Sequence, residues 1–410
     1  MTNAFDTLQE RGFIAQTSNE DAIRKLFAAE QVTYYTGFDP TADSFTAGHF
    51  VPIMAMTHLQ RAGHRPIFLV GGGTGVVGDP TDRSEMRKMM PMDEIRHNSD
   101  GLKEQLSKFV DFSDDRAIMV NNADWLMELQ YVPFIRDYGI HFSVNKMLTA
   151  DVYRSRFERG LTFFELNYML MQSYDFLELF RRYNCKVQMG GNDQWSNILA
   201  GAELIRRVEN AEAHCMTYTL LTTGDGKKMG KSQKGAVWLD RNRTTPYEFF
   251  QYWRNTADAD VIKFLKLLTF LPLSQINEMS AWQGSELNKA KEILAFELTK
   301  IIHGEEEAVQ ALDAARELFG GAAAGGSVPE AEIPASEWGG GMNIIDVMFK
   351  TGLIASRSDG RRLIAQGAVR VNDEKVGDIS HVVGLVDGSA MIQKGKKVFL
   401  RVKVTDFTSR

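Results

Sequence analysis

The stretch from Tyr35 to His49, YTGFDPTADSFTAGH, constrains this chain more than any other part of it. A β-type run over residues 32–36 ends at Gly37, the chain turns, and apolar residues then recur at helical spacing from Phe50. A strand that passes through a glycine turn into a helix presents free backbone N–H groups and the positive end of the helix dipole. Together these bind anions. The stretch therefore indicates an anion site.

The start of that helix is predicted after Asp43 and Ser44, which belong to the residue types that cap helices. Gly48 allows a ligand to lie against the backbone, and His49 can donate a hydrogen bond to a phosphate. The Walker pattern GxxxxGK[ST] does not occur in this stretch. A plain turn with a buried histidine is the competing interpretation, and the stretch alone does not decide between the two.

Two later segments repeat the arrangement of a strand that ends in glycines. Arg65–Val70 runs into GGGTG, and residues 185–189 run into GGNDQW. Because the carboxyl ends of parallel strands meet at one edge of a sheet, we expect the three glycine loops to lie together. The pattern predicts a parallel α/β sheet with a ligand site at that edge.

Three polar residues interrupt an otherwise apolar helix predicted over residues 161–179. Tyr168, Gln172 and Asp175 are spaced i, i+4 and i+7 and therefore share one face. They either line a polar pocket or face water. Their apolar neighbours favour the pocket.

Two cationic segments follow glycines. In GDPTDRSEMRK, Asp79 precedes Arg83 and Arg87, and TGDGKKMGKSQKG carries Lys228 and Lys231. Such cations either contact a polyphosphate or belong to solvated surface loops, and each segment alone allows both interpretations.

The C-terminal residues differ in net charge from the rest of the chain. The 410 residues predict two or three domains, with helices over 1–31 and a flexible Gly- and Ala-rich linker over 319–342. Residues 343–410 hold 12 Lys and Arg against 7 Asp and Glu, a net of +5, so the rest of the chain carries −11 of the total of −6. This tail suits an RNA backbone.

Neither targeting nor metal binding is indicated by the sequence. The N-terminal residues lack the pattern of a signal peptide, and we find no apolar run of membrane-spanning length. Cys185 and Cys215 do not have metal-like spacing, which predicts a reduced, cytoplasmic protein. Aromatic and aliphatic residues between about 120 and 160 exceed what one core requires. They indicate either a subunit interface or ordinary burial.

Taken together, the motifs closely resemble those of the bacterial tyrosyl-tRNA synthetases, a family of class I aminoacyl-tRNA synthetases. GFDPTADSFTAGH resembles the HIGH region, and KKMGKS resembles the KMSKS loop. The run YMLMQSYD followed by GGNDQW resembles the tyrosine pocket, and the last seventy residues resemble an S-four-type RNA-binding domain. The resemblance extends over nearly the whole chain.

The resemblance implies an α/β fold with three parts. These are a Rossmann-like parallel-sheet catalytic domain over 1–225, with a dimer-interface insertion at about 120–160, a KMSKS-like loop and helical domain over 226–318, and a small α+β S-four-type RNA-binding domain over 343–410. It also implies a homodimer that uses ATP with Mg²⁺, L-tyrosine and tRNA(Tyr), without a membrane or a tightly bound metal. The tyrosine carboxylate would attack the α-phosphate in line, and tRNA would then take the acyl group.

Residue roles also follow from the resemblance. The catalytic residues would be His49, Thr46, Lys228, Lys231, Arg83 and Arg87. Tyrosine would be held by Tyr35, Asp79, Tyr168, Gln172, Asp175 and Gln194. ATP would be bound by Gly37, Asp39, Thr41, Gly48, His49, Gly191, Asp193, Gln194, Lys228, Met229 and Lys231. The tRNA would contact Arg357, Arg361 and Arg362.

Three positions depart from the family pattern. Thr46 replaces the first HIGH histidine, Gly230 stands where serine is common, and Asn192 stands where serine is frequent. The threonine hydroxyl can still donate to a phosphate, though more weakly. Two alternatives follow: a tryptophanyl-tRNA synthetase, which would not need both Tyr35 and Asp175, and an RNA-binding protein on a decayed synthetase body, which would have lost the phosphate contacts.

Overall fold

The structure is a computed structural model. It describes residues 3–79, 90–150, 153, 160–222, 226, 229, 231–232, 235–320, 329–372, 374–386, 388–395 and 398–405. Two compact units make up the chain, Met1–Ala308 and Val309–Arg410. The predicted catalytic part, 1–225, falls within the first unit, and the predicted helical part, 226–318, crosses the boundary between the units at residue 308.

A six-stranded sheet forms the centre of the first unit. Its strands are β1 (Ile14–Thr17), β2 (Thr33–Phe38), β3 (Arg65–Val70), β4 (Ile118–Asn121), β5 (Cys185–Gly191) and β6 (His214–Tyr218). Their spatial order is β1-β6-β5-β2-β3-β4, and every pairing is parallel except that of β1 with β6. The order reverses direction between β2 and β5. A crevice at the carboxyl ends of these two strands is where such folds bind ligands.

Helices connect the strands and cover both faces of the sheet. The α-helices of the first unit that the structure describes in full are Ala4–Arg11, Glu20–Ala29, Phe50–Arg61, Gly72–Val77, Met92–Leu106, Ala123–Leu126, Tyr131–Asp137, Val144–Leu148, Phe163–Tyr183, Trp195–Glu209, Pro246–Arg254, Val261–Leu268, Leu273–Met279, Ser285–His303 and Glu305–Gly320. The last of these continues into the second unit. A two-residue ladder joins β7 (Lys231–Ser232) to β8 (Gly235–Ala236).

Adjacent residues of β2 show how the sheet is packed. Side chains alternate across a strand, so Tyr34 and Tyr35 point to opposite faces. The Tyr34 hydroxyl donates to the carbonyl of Met56 at 2.6 Å, on the side of the helix Phe50–Arg61. The Tyr35 ring packs 5.4 Å from that of Phe176, in the helix Phe163–Tyr183. Tyr35 therefore lies on the face that carries the predicted polar residues.

The structure corrects three local predictions in the first unit. Residues 1–31 are not wholly helical, because β1 pairs with β6 between the first two helices. The helix predicted after Asp43 and Ser44 begins at Phe50, and a 3-10 turn, Ala47–His49, precedes it. The loop after β3 is mostly a short helix, Gly72–Val77.

The second unit is a small α+β domain with its own core. Its sheet has the order β11-β10-β12-β13-β9, formed by β9 (Glu330–Pro334), β10 (Val369–Val371), β11 (Glu374–Lys375), β12 (Ser389–Lys394) and β13 (Val398–Thr405). Its complete helices are Ala335–Trp338, Ile344–Lys350 and Arg357–Ala365. Buried Ile333, Ile345 and Val402 belong to one apolar cluster.

The predicted linker over 319–342 is wrong where the structure describes it. Glu330–Pro334 pairs in parallel with β13, and a helical turn, Ala335–Trp338, follows. Ile333 is buried at 1% exposure, so this segment belongs to the domain and does not merely lead to it.

Among the described residues, no helix has both the length and the apolarity needed to cross a membrane. The same residues contain no cluster of three or more His, Cys, Asp or Glu side chains arranged to hold a metal ion.

Candidate active site

A cavity of about 270 Å³ lies at the carboxyl ends of β2, β3 and β5. The three strand-to-glycine segments meet there, as the sequence predicted. Predicted site residues that line it are Tyr35, Gly37, Asp39, Thr41, His49, Asp79, Tyr168, Gln172, Asp175, Gly191 and Gln194. The three polar residues of the helix Phe163–Tyr183 thus face a pocket.

One end of the cavity is built around Asp175, which is 1% exposed. The side-chain amide of Asn122 donates to Oδ2 at 2.9 Å, and the indole N–H of Trp125 donates to Oδ1 at 2.8 Å. Burial raises the pKa of the Asp175 carboxyl to about 7, and the two donors oppose that rise. Above about pH 7 the site holds a buried carboxylate with its two oxygens fixed in place.

The Tyr35 hydroxyl lies at the same end of the cavity. It is buried and lacks a hydrogen-bond partner among the described residues. Burial, and then the neighbouring Asp175, raise the pKa of this phenol well above its ordinary value, so it remains a donor. A buried donor without a partner costs free energy, about 1–3 kcal/mol. A donor and a carboxylate side by side match a ligand hydroxyl, which both accepts and donates a hydrogen bond.

Asp79 adds a second carboxylate to the cavity lining, among amides. Asp79 accepts a hydrogen bond from the side-chain amide of Gln194 at 2.6 Å, and Gln194 Oε1 accepts from Asn197 at 3.1 Å. Gln172 contributes a buried Oε1 that has no partner in the described part of the chain. These acceptors, with Tyr168 beside them in the lining, suit an ammonium group.

His49 reaches the cavity from the 3-10 turn. Its Nδ1 accepts the backbone N–H of Thr46 at 3.1 Å, which leaves the ring proton on Nε2. Burial lowers the pKa of His49, so the ring is neutral at pH 7 and offers an N–H donor. The Thr46 hydroxyl lies 3.1 Å from the same Nδ1. In this position it orients the histidine.

Other predicted residues fall outside the described cavity lining. Thr46, Gly48, Asp193 and Met229 are described but are not among the lining residues that the structure identifies. Arg83, Arg87 and Lys228, and the side chain of Lys231, lie outside the described residues.

The three predicted tRNA contacts lie on the helix Arg357–Ala365 of the second unit and are exposed. Arg357 pairs with Asp346 at 2.8 Å, and Arg362 pairs with Asp359.

Sequence reasoning missed several residues of this site, and four of them have polar side chains that bear on its chemistry. Asn122, Thr74 and Gln188 line the cavity, and Trp125 bonds Asp175 from behind it. Asn122 also accepts the backbone N–H of Gly73 at 2.7 Å, and thereby ties the helix Gly72–Val77 to Asp175. A signal existed, because Asn122 directly follows β4 at the same sheet edge as the glycine segments. Gln188 lies inside β5, where the strand pattern gave no reason to single it out.

Family models match both units of the chain. A model for the class I tRNA synthetases (W and Y) matches residues 28–320, and one for the tyrosine–tRNA ligase SYY-like C-terminal domain matches residues 323–402. The tyrosine–tRNA ligase of Acetivibrio thermocellus is 56% identical over 407 residues, which cover 98% of this chain and 100% of the relative. The chain belongs to the tyrosine–tRNA ligase family.

Other members of the family agree. The tyrosine–tRNA ligase of Clostridium botulinum strain Hall is 55% identical over 410 residues and is covered in full, with 98% of this chain. The crystal structure of a truncated mitochondrial tyrosyl-tRNA synthetase from Aspergillus nidulans superposes with a TM-score of 0.70 at 30% identity, and covers 78% of this chain and 95% of its own. A tryptophanyl-tRNA synthetase from Encephalitozoon cuniculi shares the fold. It superposes with a TM-score of 0.57 at 12% identity, and covers 75% of this chain and 87% of its own.

Proposed function

We propose that the protein activates L-tyrosine with ATP to tyrosyl-adenylate and pyrophosphate, and then transfers the tyrosyl group to the 3′ end of tRNA(Tyr). The observation that carries the choice of amino acid is the buried Tyr35 hydroxyl beside the Asp175 carboxylate, a hydroxyl that no described residue bonds. The substrate phenol accepts from the first and donates to the second. An indole would leave the Tyr35 hydroxyl without a partner, which argues against tryptophan.

Positioning supplies the chemistry of the first step. With its phenol at Asp175 and its ammonium at Asp79, Tyr168 and Gln172, tyrosine has its carboxylate directed along the cavity toward Gln194 and the His49 turn. A carboxylate oxygen attacks the α-phosphorus while the bond to pyrophosphate breaks in line. The neutral His49 donates through Nε2–H to phosphate oxygens, and Gly37, Asp39, Thr41 and Gly191 lie against the nucleotide.

We assign the remaining charge neutralisation to residues predicted by the resemblance. Arg83, Arg87, Lys228 and Lys231 clamp the departing pyrophosphate, Gly48, Met229 and Asp193 contact the nucleotide, and Thr46 acts through His49. Mg²⁺ enters with ATP and is held by its phosphates. Residues 1–225 then carry the two substrate sites, and residues 226–318 carry the lysine loop and its helical support.

The second step and the assembly complete the proposal. The helix Arg357–Ala365 contacts the tRNA backbone, and the reaction takes place in the cytoplasm, where the thiols of Cys185 and Cys215 remain free. Two copies form a homodimer. Its support is a run of exposed apolar side chains between residues 127 and 164, which include Tyr131 at 64%, Val132 at 72% and Ile140 at 72%.

Amino-acid-dependent ATP–pyrophosphate exchange tests the first step. With each of the twenty amino acids in turn, exchange is expected with tyrosine only. Asp175→Ala should abolish it while the circular dichroism spectrum remains that of the folded protein. Exchange without tyrosine dependence, or an unchanged rate in Asp175→Ala, would refute the assignment of the pocket.

The tRNA step is tested by separating it from activation. Arg361→Ala combined with Arg362→Ala should raise KM for tRNA. It should also reduce the magnitude of the slope of log K for tRNA binding against log salt concentration by about 2. The rate of tyrosine-dependent ATP–pyrophosphate exchange should be unchanged. The matched control is Arg206→Ala, an arginine of the first unit that pairs with Glu203. An equal loss of tRNA affinity in the control would contradict the proposed tRNA surface.

A further inference from the structure

Gln105 lies near the C-terminal end of the helix Met92–Leu106 and contacts the segment that precedes the His49 turn. Its Oε1 accepts the backbone N–H of Phe45 at 2.9 Å, and its Nε2 donates to the Ser44 hydroxyl at 2.9 Å. Ser44 and Phe45 are 4% and 2% exposed. A single side chain therefore satisfies two buried polar groups directly beside the predicted phosphate-binding turn.

The opposite side of this segment is held by backbone pairing. Phe45 accepts the N–H of Leu239 at 2.9 Å, and Ala47 donates to the carbonyl of Val237 at 2.8 Å. Thr46 and Trp238 form the antiparallel bridge between the two strands of chain. These bonds fix the segment toward residues 237–239, and Gln105 fixes it toward the helix Met92–Leu106.

Phe45 and Thr46 in turn determine the orientation of the His49 ring. The backbone N–H of Thr46, one peptide beyond the N–H held by Gln105, donates to Nδ1. The Phe45 ring packs 5.2 Å from the imidazole of His49 and 5.4 Å from the ring of Phe38 at the end of β2. A shift of the Phe45 backbone would alter both contacts of the histidine.

We propose that Gln105 is a positioning residue for the ATP step, because it holds the Ser44–Thr46 backbone in the conformation that directs His49 Nε2–H into the cavity. The inference rests on the proposed function and adds to it a residue that does not touch either substrate. Ser44, which the sequence predicted to cap a helix, instead helps to orient the histidine through its bond to Gln105.

The chain offers a matched control in Gln60. Its Oε1 accepts the backbone N–H of Asp111 at 3.0 Å, and its Nε2 donates to the carbonyl of Asp111 at 2.7 Å. It lies on the helix Phe50–Arg61, eleven residues beyond His49 and therefore roughly 16 Å along the axis. Gln60 makes the same kinds of bond without contacting the turn.

Gln105→Met and Gln60→Met each keep the side-chain volume and remove its hydrogen bonds. In tyrosine-dependent ATP–pyrophosphate exchange, Gln105→Met is expected to lower kcat/KM for ATP about tenfold, as the loss of one or two net hydrogen bonds implies. The dissociation constant for tyrosine without ATP should stay within about twofold. Gln60→Met should lower the melting temperature without this selective loss.

A double-mutant cycle with His49→Ala separates positioning from general destabilisation. If Gln105 acts through His49, Gln105→Met adds little to the loss caused by His49→Ala, whereas unrelated effects add. Gln105→Glu keeps an oxygen for the Phe45 N–H and should restore kcat/KM for ATP to within about threefold of wild type. Should Gln105→Met fail to fold, Gln105→Asn takes its place, because the shorter side chain withdraws the amide from Phe45.

The outcomes are distinct. Wild-type exchange with a selective, non-additive loss in Gln105→Met supports the inference. Additivity with His49→Ala, or equal effects of the Gln105 and Gln60 variants, overturns it while the proposed function stands. Absence of exchange in the wild type overturns the proposed function, and the inference with it.

Discussion

A single carboxylate shows how the surrounding residues set the chemistry of this site. Asp175 is deeply buried, which favours its neutral form, yet Asn122 and Trp125 donate one hydrogen bond to each oxygen and favour the charged form. The balance places its pKa at about 7, inside the physiological range. Recognition of a phenol that donates to Asp175 is therefore sensitive to pH and to the two donors.

The binding of tyrosine should weaken as the pH falls through 7. The carboxyl has a raised pKa, so it is ionised above about pH 7 and protonated below it, and only the ionised form accepts fully from the phenol. We expect kcat/KM for tyrosine to fall by up to about tenfold per pH unit below the midpoint. Asn122→Ala removes a donor that lowers the pKa, so its midpoint should move to higher pH.

Trp125→Phe is the companion variant, because it removes the indole N–H and keeps an aromatic ring. It should move the midpoint of the pH profile in the same direction as Asn122→Ala. A profile for tyrosine that is flat from pH 6 to 8, in wild type and variants alike, would show that the phenol is not recognised by an ionising group. Phenylalanine leaves the Tyr35 hydroxyl and the Asp175 carboxylate without the hydrogen bonds of the substrate phenol, a kind of discrimination for which tyrosyl-tRNA synthetase is itself the standing example.

At the scale of elements, the periodicity of the sequence was enough to predict the sheet and the pocket helix. β3 ends directly before the predicted glycines and β5 ends within them, whereas β2 continues through Gly37 to Phe38 because both residues pair with β3. Tyr168, Gln172 and Asp175 share the predicted face. The helix-capping rule gave wrong predictions where the side chain concerned is bonded to a residue distant in the sequence. Ser44 bonds Gln105 and Asp43 pairs with Arg243, so neither caps the helix that begins at Phe50. Partners 61 and 200 residues away leave no local trace in the sequence.

Asn122 shows how far the site could be predicted from the sequence. Its chemistry depends on three elements meeting, namely β4, the helix Gly72–Val77 and the helix Phe163–Tyr183. Position at the sheet edge makes it a candidate, but only the packing shows that its amide faces the Asp175 carboxylate. Sequence therefore predicted the residues that line the cavity better than the residues that hold them in place.

Two glycines at neighbouring strand ends should respond differently to substitution by alanine. A Cβ on Gly71 would lie 2.5 Å from Asp39 Oδ1 and 2.6 Å from Thr74 Oγ1, whereas a Cβ on Gly37 has nothing within 4 Å among the described atoms. We expect Gly71→Ala to cost roughly 1–3 kcal/mol of unfolding free energy and to disturb both substrates.

Gly37→Ala should leave the stability unchanged. Its methyl group would stand at the cavity wall, so we expect a higher KM for ATP and an unaltered KM for tyrosine. Chemical denaturation and exchange kinetics on the two variants provide the measurement. Equal stability of Gly71→Ala and wild type would contradict the close approach of Asp39 and Thr74.

At the scale of the whole molecule, exposed apolar side chains are concentrated in one stretch of the first unit. Of the fifteen large hydrophobic residues that the structure describes as exposed, seven lie between residues 127 and 164. Ordinary burial within one chain, the alternative considered from sequence, does not apply to Tyr131, Val132 or Ile140. Concentrated exposure of this kind is typical of interaction surfaces.

The proposed dimer should dissociate when this surface acquires a charge. Wild type is expected to have the mass of two chains of 46.1 kDa in light scattering, and Val132→Asp the mass of one. An isolated carboxylate in an apolar interface lacks the solvation it needs. Ile379→Asp, at an exposed apolar position in the second unit, should remain dimeric. A monomeric wild type, or loss of the dimer in both variants, would exclude the proposed interface.

The pairing of β9 with β13 determines where this chain can be divided. Cutting at residue 342, as composition alone would suggest, takes an edge strand away from the C-terminal sheet and leaves buried Ile333 as an apolar stub on the other fragment. Both pieces would then expose surfaces prone to association. A junction between residues 320 and 329 keeps all five strands together. Fusions and domain exchanges made there move the proposed RNA-binding module together with its whole sheet.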